Sequence, residues 1–88
     1  MRALIKLTDR FTESNIDDEI VIMRVDNGEF FALSGTGAAV WRLIDGHRDR
    51  YALLRTLAIE FATDQEEITD DVDALLAQLR SSGLLARG

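Results

Sequence analysis

The chain contains no cysteine, no proline, one histidine and one lysine. Without cysteine there can be no disulfide and no thiolate ligand, and a single histidine excludes most zinc sites and acid–base pairs. We therefore expect no catalytic residues, no metal and no cofactor. With no proline and only six glycines there is also no obvious linker, and we expect the 88 residues to form one domain, residues 1–88.

Basic residues are scarce, because ten Lys and Arg oppose sixteen Asp and Glu for a net charge of −6. Nucleic-acid binding depends on neutralising phosphates, so this balance argues against a nucleic-acid partner. No segment approaches the roughly 18 consecutive apolar residues of a membrane span. The amino terminus is interrupted by Arg2 and Lys6 and does not resemble a signal peptide. We expect a cytoplasmic protein with no membrane contact.

The first third of the sequence has the pattern of β-strands. Apolar and β-branched runs predict strands over Leu4 to Thr8, Ile20 to Val25 and Glu29 to Leu33. The polar segment Thr12 to Asp18 is expected to be the loop between the first two strands. Asp26 to Gly28 contains residues that tolerate positive φ, which predicts a hairpin between the last two.

The remaining sequence has helical periodicity. The first predicted helix has apolar residues at helical spacing from Gly37 to Ile44, and Gly46 is its expected carboxyl-terminal cap. The second follows Asp49 as its amino-terminal cap. For the third, Thr63 or Asp64 is the expected cap, with a glutamate capping-box partner, and Gly83 is the expected end; its apolar residues are Ile68, Val72, Leu75, Leu76 and Leu79. Three strands followed by three helices predict an α+β domain.

Three possible chemical sites have simpler explanations. His47 follows a glycine and has no partner set, so it is interpreted as a solvated loop residue. The segment Gly35-Thr36-Gly37 lacks the spacing and lysine of a phosphate loop and is interpreted as a helix start. Asp70, Asp71 and Asp73 do not match a calcium loop and are interpreted as a solvated helix face.

Two apolar features indicate a binding surface. Phe30 and Phe31 are adjacent in a predicted strand, so their rings point to opposite faces of the sheet. The third helix carries both Leu75 and Leu76, which makes its apolar stripe wide for a small core. Ordinary core packing is one explanation of both features. The other is an apolar groove beside a strand, which can capture an extended peptide by strand addition.

The order of four segments resembles a known family, the PqqD-like peptide-recognition domains, also called RiPP recognition elements. The segments are Val25 to Leu33, Thr36 to Trp41, Leu43 to Gly46 and Asp71 to Leu85. The family includes the stand-alone leader-binding proteins of lasso-peptide pathways. The resemblance implies a winged-helix-type domain in which a three-stranded antiparallel sheet is followed by a three-helix bundle.

The resemblance also implies a function without chemistry of its own. Such domains bind the leader segment of a ribosomally made precursor peptide as an extra strand and deliver it to a separate leader peptidase or other modifying enzyme. The expected docking strand is Glu29 to Leu33, and pockets lined by Phe30, Ala32 and the third helix are expected to select apolar leader side chains. The expected peptide-binding residues are Glu29, Phe30, Phe31, Ala32, Leu33, Val72, Leu75, Leu76, Leu79 and Arg80.

Three alternatives remain. An enzyme is disfavoured because no nucleophile, base or metal set can be assembled from the sequence. A regulatory or structural domain could bind a folded partner through the same groove. A DNA-binding winged helix would share the fold, because fold does not fix function. Residues 64–73 hold six acidic residues and no basic one, however, so the third helix would be repelled by phosphates.

We predict that the protein binds no duplex DNA at physiological salt, because of its net charge of −6 and the acidic start of the third helix. Fluorescence anisotropy with a labelled random duplex measures this, and a basic winged-helix protein serves as the positive control. A salt-sensitive micromolar complex would contradict the prediction.

Overall fold

A computed structural model describes residues 2–86 and contains an antiparallel sheet followed by three α-helices. The strands are β1 (Phe11–Ile16), β2 (Glu19–Arg24) and β3 (Phe30–Leu33), and the helices are α1 (Gly35–Leu43), α2 (Arg50–Glu60) and α3 (Gln65–Ser81). The predicted α+β class and the predicted order of elements are confirmed.

The sheet has the order β1-β2-β3, so β2 is the central strand and β1 and β3 are the two edge strands. Ile20 and Ile22 of β2 are 1% and 0% exposed, which identifies the face of the sheet that packs against the helices. The predicted hairpin between β2 and β3 is confirmed. Its turn contains Gly28 with φ of 71°, a conformation that glycine adopts without steric cost.

The predicted position of the first strand is wrong. Residues 4 to 8 form no strand and meet the chain end through a single β-bridge between Lys6 and Leu85. The segment Thr12 to Asp18, predicted to be a loop, instead supplies most of β1 and its turn, in which Asp17 has φ of 55°. Five of the six β1 residues are exposed, so the strand has no apolar alternation; pairing with β2 holds it in place.

The helix boundaries follow most of the predicted caps. Asp49 caps α2, because its carboxylate accepts a hydrogen bond of 2.8 Å from the amide of Ala52. Asp64 precedes α3, but its side chain makes no capping hydrogen bond, so the predicted capping box is not formed there. α1 ends at Leu43, earlier than predicted, and Gly46 lies in the turn beyond it with φ of 86°. α3 ends before Gly83, which has φ of 76°.

The core lies between the sheet and the helices, and Trp41 is its largest side chain. Trp41 is 0% exposed, and its ring meets that of Phe11 edge to face at a centroid distance of 5.3 Å. Its Nε1 donates to Glu13 at 3.2 Å, and the Lys6 ammonium lies 4.2 Å from the ring centroid. Burial lowers the pKa of Lys6, while the nearby carboxylate of Glu13 opposes that shift.

Within residues 2–86, no helix is both long and apolar enough to cross a membrane.

We predict that Trp41→Ala destabilises the domain by about 3–5 kcal/mol, the usual cost of emptying a large aromatic site in a core. Thermal or denaturant unfolding followed by circular dichroism measures the change. Tyr51→Ala is the matched control, because that ring is 53% exposed, and its removal should cost less than about 1 kcal/mol. Equal effects of the two substitutions would contradict the assignment of Trp41 to the core.

Candidate functional site

The open edge of β3 presents unpaired backbone groups. The amide of Arg24 donates to the carbonyl of Glu29 at 2.9 Å. These two residues are therefore a hydrogen-bonded pair of the β2–β3 hairpin. In an antiparallel pair, hydrogen-bonded positions alternate along each strand. Phe31 and Leu33, opposite Ile22 and Ile20, therefore bond to β2. The backbone N–H and C=O groups of Phe30 and Ala32 point away from β2 and are available to another strand.

The side chains of β3 divide between the two faces of the sheet. Phe31 and Leu33 are half-buried and pack against the core on the helical side. Phe30, which is 67% exposed, and Ala32 lie on the opposite face. The sequence-based expectation that Phe30 and Ala32 line a groove with the third helix is therefore wrong, because alternation places Phe31 and Leu33 on that side.

The apolar stripe of α3 is also mostly core. Val72, Leu76 and Leu79 are each 1% exposed, so Leu76 and Leu79 cannot line an accessible groove as expected. Leu75 remains half-buried beside the core and is available at the surface. The wide stripe thus serves two purposes, since three residues fill the interior and Leu75 faces outward.

A cavity of about 170 Å³ lies between α1 and α3, next to the end of β3. Its lining is mainly apolar and includes Leu75, with Val72 contributing although it is almost fully buried. The lining residues are Thr36, Gly37, Val40, Ile68, Asp71, Val72 and Leu75. Val72 and Leu75 were expected from the sequence, whereas the three residues of α1 and the α3 residues Ile68 and Asp71 were not. Gly37 was the available signal, because glycine is uncommon inside a helix.

The two remaining expected residues, Glu29 and Arg80, do not line the cavity. Glu29 is exposed and precedes β3, and its amide donates to Asn27 Oδ1 at 2.9 Å. Arg80 is half-buried in the last turn of α3. Its charge contributes to lowering the pKa of Asp73, although the hydrogen bond from Arg50 is the larger cause.

Arg50 and Asp73 join the start of α2 to α3. The guanidinium donates two hydrogen bonds to the carboxylate, at 2.6 and 2.8 Å, and holds the pKa of Asp73 below its usual value. Both side chains are more than a third exposed, so the pair adds little to stability. The ion pair with Arg50 thus explains the role of Asp73 without a bound metal. The other two aspartates of this helix face, Asp70 and Asp71, are exposed to solvent. Among residues 2–86 no group of three possible ligands could hold a metal.

A larger depression of about 620 Å³ lies where α2 ends and α3 begins. Its lining is rich in polar and charged side chains, including Arg55, Asp64 and Glu67. No strand edge is part of that lining. The β3 edge and its neighbouring cavity offer both backbone pairing groups and an apolar pocket, as strand addition requires. The larger depression offers no backbone pairing groups of a strand.

Comparison with known proteins agrees with this fold. The chain is 38% identical over 55 residues to the PqqA binding protein of Gluconobacter oxydans (strain 621H), a match that covers 62% of this chain and 57% of the length of that relative. The structure of TbiB1 in complex with the TbiA(beta) leader peptide superposes with a TM-score of 0.84 at 24% identity. The superposition covers 96% of this chain and 98% of that chain, and it confirms the expected winged-helix-type fold.

The strongest assignment comes from the family model for coenzyme PQQ synthesis protein D (PqqD), which matches residues 19–85. That range contains β2, β3 and all three helices, and so includes both the open strand edge and the cavity beside it. The chain belongs to the PqqD family.

Proposed function

We propose that this chain binds the leader segment of a ribosomally made precursor peptide and delivers it to a separate enzyme, a leader peptidase or another modifying enzyme. The observation that carries the proposal is the open edge of β3 beside an apolar cavity. The names of two similar proteins support it, since one is a PqqA binding protein and the other was solved with a leader peptide.

Backbone pairing would supply affinity with little dependence on sequence. An extended leader alongside β3 would pair with the N–H and C=O groups of Phe30 and Ala32. The opposite edge, on β1, suits this role less well. Its exposed residues are mostly polar, whereas the cavity next to β3 is lined mainly by apolar side chains.

Side-chain contacts would supply specificity on both faces of the added strand. Leader residues pointing toward the helices would meet Phe31, Leu33, Leu75 and the cavity, while those pointing outward would meet the exposed ring of Phe30. Because the contacts are backbone and apolar in kind, binding should depend only modestly on salt.

The proposal gives the chain a binding role and no reaction of its own. The polar side chains that line the cavity are the Thr36 hydroxyl and the Asp71 carboxylate. General acid–base or nucleophilic catalysis requires a nucleophile and a base within hydrogen-bond reach, and these two groups provide no such activated pair. The chemistry would belong to the partner enzyme, and we place the encounter in the cytoplasm, where precursor peptides are synthesised.

We predict different hydrogen-exchange rates along β3. The amides of Phe30 and Ala32 should exchange rapidly in the free protein, because they face the open edge, while those of Phe31 and Leu33 should be protected by β2. Exchange followed by NMR measures the rates. Adding a synthetic leader peptide that saturates the chain should protect Phe30 and Ala32. Unchanged exchange in a saturated complex would contradict strand addition at this edge.

We predict that Leu75→Glu weakens binding of that leader by more than about 2 kcal/mol, as for a central anchor of an interface. Ala77→Glu is the matched control, because Ala77 is exposed on the opposite side of α3 and should leave the affinity unchanged. Calorimetric titration measures the affinities, and circular dichroism verifies that each variant is folded. Leu76→Glu is unsuitable, since a charge at a 1% exposed position would destabilise the fold itself.

Chemical-shift mapping with the same leader distinguishes the proposed surface from another. Perturbations on Phe30–Leu33 and around the cavity support the proposal. A footprint confined to residues 47–55 would show that the leader binds elsewhere.

A further inference from the structure

Gly37 lies in the first turn of α1 without a backbone reason to be glycine. Its φ lies outside the left-handed region, unlike those of Gly28, Gly35, Gly46 and Gly83. Glycine in a helix is less favourable than alanine because it loses more backbone entropy on folding. The local structure of α1 would therefore be better served by alanine, and the reason for glycine must lie in the space around it.

That space is the wall of the cavity. A Cβ at Gly37 would lie 3.7 Å from Leu33 Cδ2 and 3.9 Å from Leu75 Cδ2, both ordinary van der Waals distances. An alanine would therefore fit without displacing β3 or α3. It would, however, occupy part of the opening between the end of β3 and α3, where Gly37 now lines the 170 Å³ cavity.

The size and lining of the cavity indicate what it can hold. An engineered apolar cavity of about 150 Å³ accommodates a benzene ring, so 170 Å³ is enough for one large aliphatic or aromatic side chain. A methyl group alone would leave most of the lining without contacts and lose their dispersion energy. The Asp71 carboxylate in the lining would disfavour an acidic side chain.

We propose that Gly37 determines the size of the peptide side chain that this cavity accepts, and that it selects one large aliphatic or aromatic residue of the docked strand. This inference rests on the proposed function, since the side chain belongs to a peptide paired with β3. Leu33, at the end of that strand, is also the residue nearest to the missing Cβ, so the strand edge and the cavity are continuous.

A display library of random linear peptides tests the proposal without knowledge of the natural leader. The full chain, Gly37→Ala and Gly37→Val are used for selection, and enriched peptides are sequenced. Ala77→Val is the matched control. It adds to an exposed face of α3 the two methyl groups by which valine exceeds alanine. The wild-type chain and the control should enrich a large apolar residue at one position. Gly37→Ala and Gly37→Val should shift that position progressively to smaller residues and leave the other positions unchanged.

Affinities of the selected peptides give the magnitude. Replacing the large residue by alanine should weaken binding to the wild-type chain by about tenfold or more, as expected for methylene groups lost from an apolar pocket. The same replacement should make a smaller difference to Gly37→Val, because the valine side chain already occupies part of the cavity. If Gly37→Val does not fold, as judged by circular dichroism, Gly37→Ala carries the comparison.

The outcomes separate the two proposals. Failure of the wild-type chain to enrich any peptide would overturn the proposed function and this inference together. Enriched peptides that protect the amides of Phe30 and Ala32, yet show the same residue preference for the wild-type chain and both Gly37 variants, would overturn only the role of Gly37.

Discussion

Trp41 is fully buried where α1 meets the sheet, and two otherwise separate parts of the chain contact its side chain. Phe11 and Glu13 of β1 reach it from the sheet, and Lys6 reaches it from the amino-terminal segment. An 88-residue domain buries a limited fraction of its surface, so one large aromatic contributes a substantial part of its stability. This contact anchors β1 and the amino-terminal segment to α1.

The open edge of β3 follows from the strand order β1-β2-β3 and is compatible with a stable domain. An edge strand is an aggregation hazard when it is long, flat and apolar. β3 has only four residues and adjoins a turn with acidic Asp26 and exposed Glu29. Its length limits indiscriminate pairing, while two outward-facing residues can still bond an extended peptide. Backbone pairing is tolerant of sequence, so discrimination between peptides must come from side-chain contacts, of which the neighbouring cavity offers one set.

Much of the fold could be predicted from the sequence, because local patterns determine it. The β2–β3 hairpin, the Asp49 cap, the three helices and the burial of Trp41 were all indicated by turn residues or helical spacing. β1 was not indicated, because its mostly polar sequence does not alternate between apolar and polar residues. Pairing with β2 holds it in place. The loop assignment of Thr12 to Asp18 failed for the same reason: tertiary pairing overrides weak local propensity.

For the candidate site, the sequence alone determined that β3 and α3 carry more apolar residues than a small core requires. Its resemblance to a family indicated that the surplus residues bind a peptide. Only the tertiary structure decided which of those residues face outward. The packing of α3 buries Leu76 and Leu79 and leaves Leu75 accessible, while the register of β3 against β2 turns Phe31 and Leu33 toward the helices. Gly37 joins the cavity only because α1 packs against both β3 and α3. Spacing along a sequence gives the period of an element, but its rotation about its own axis is fixed by the neighbours against which it packs.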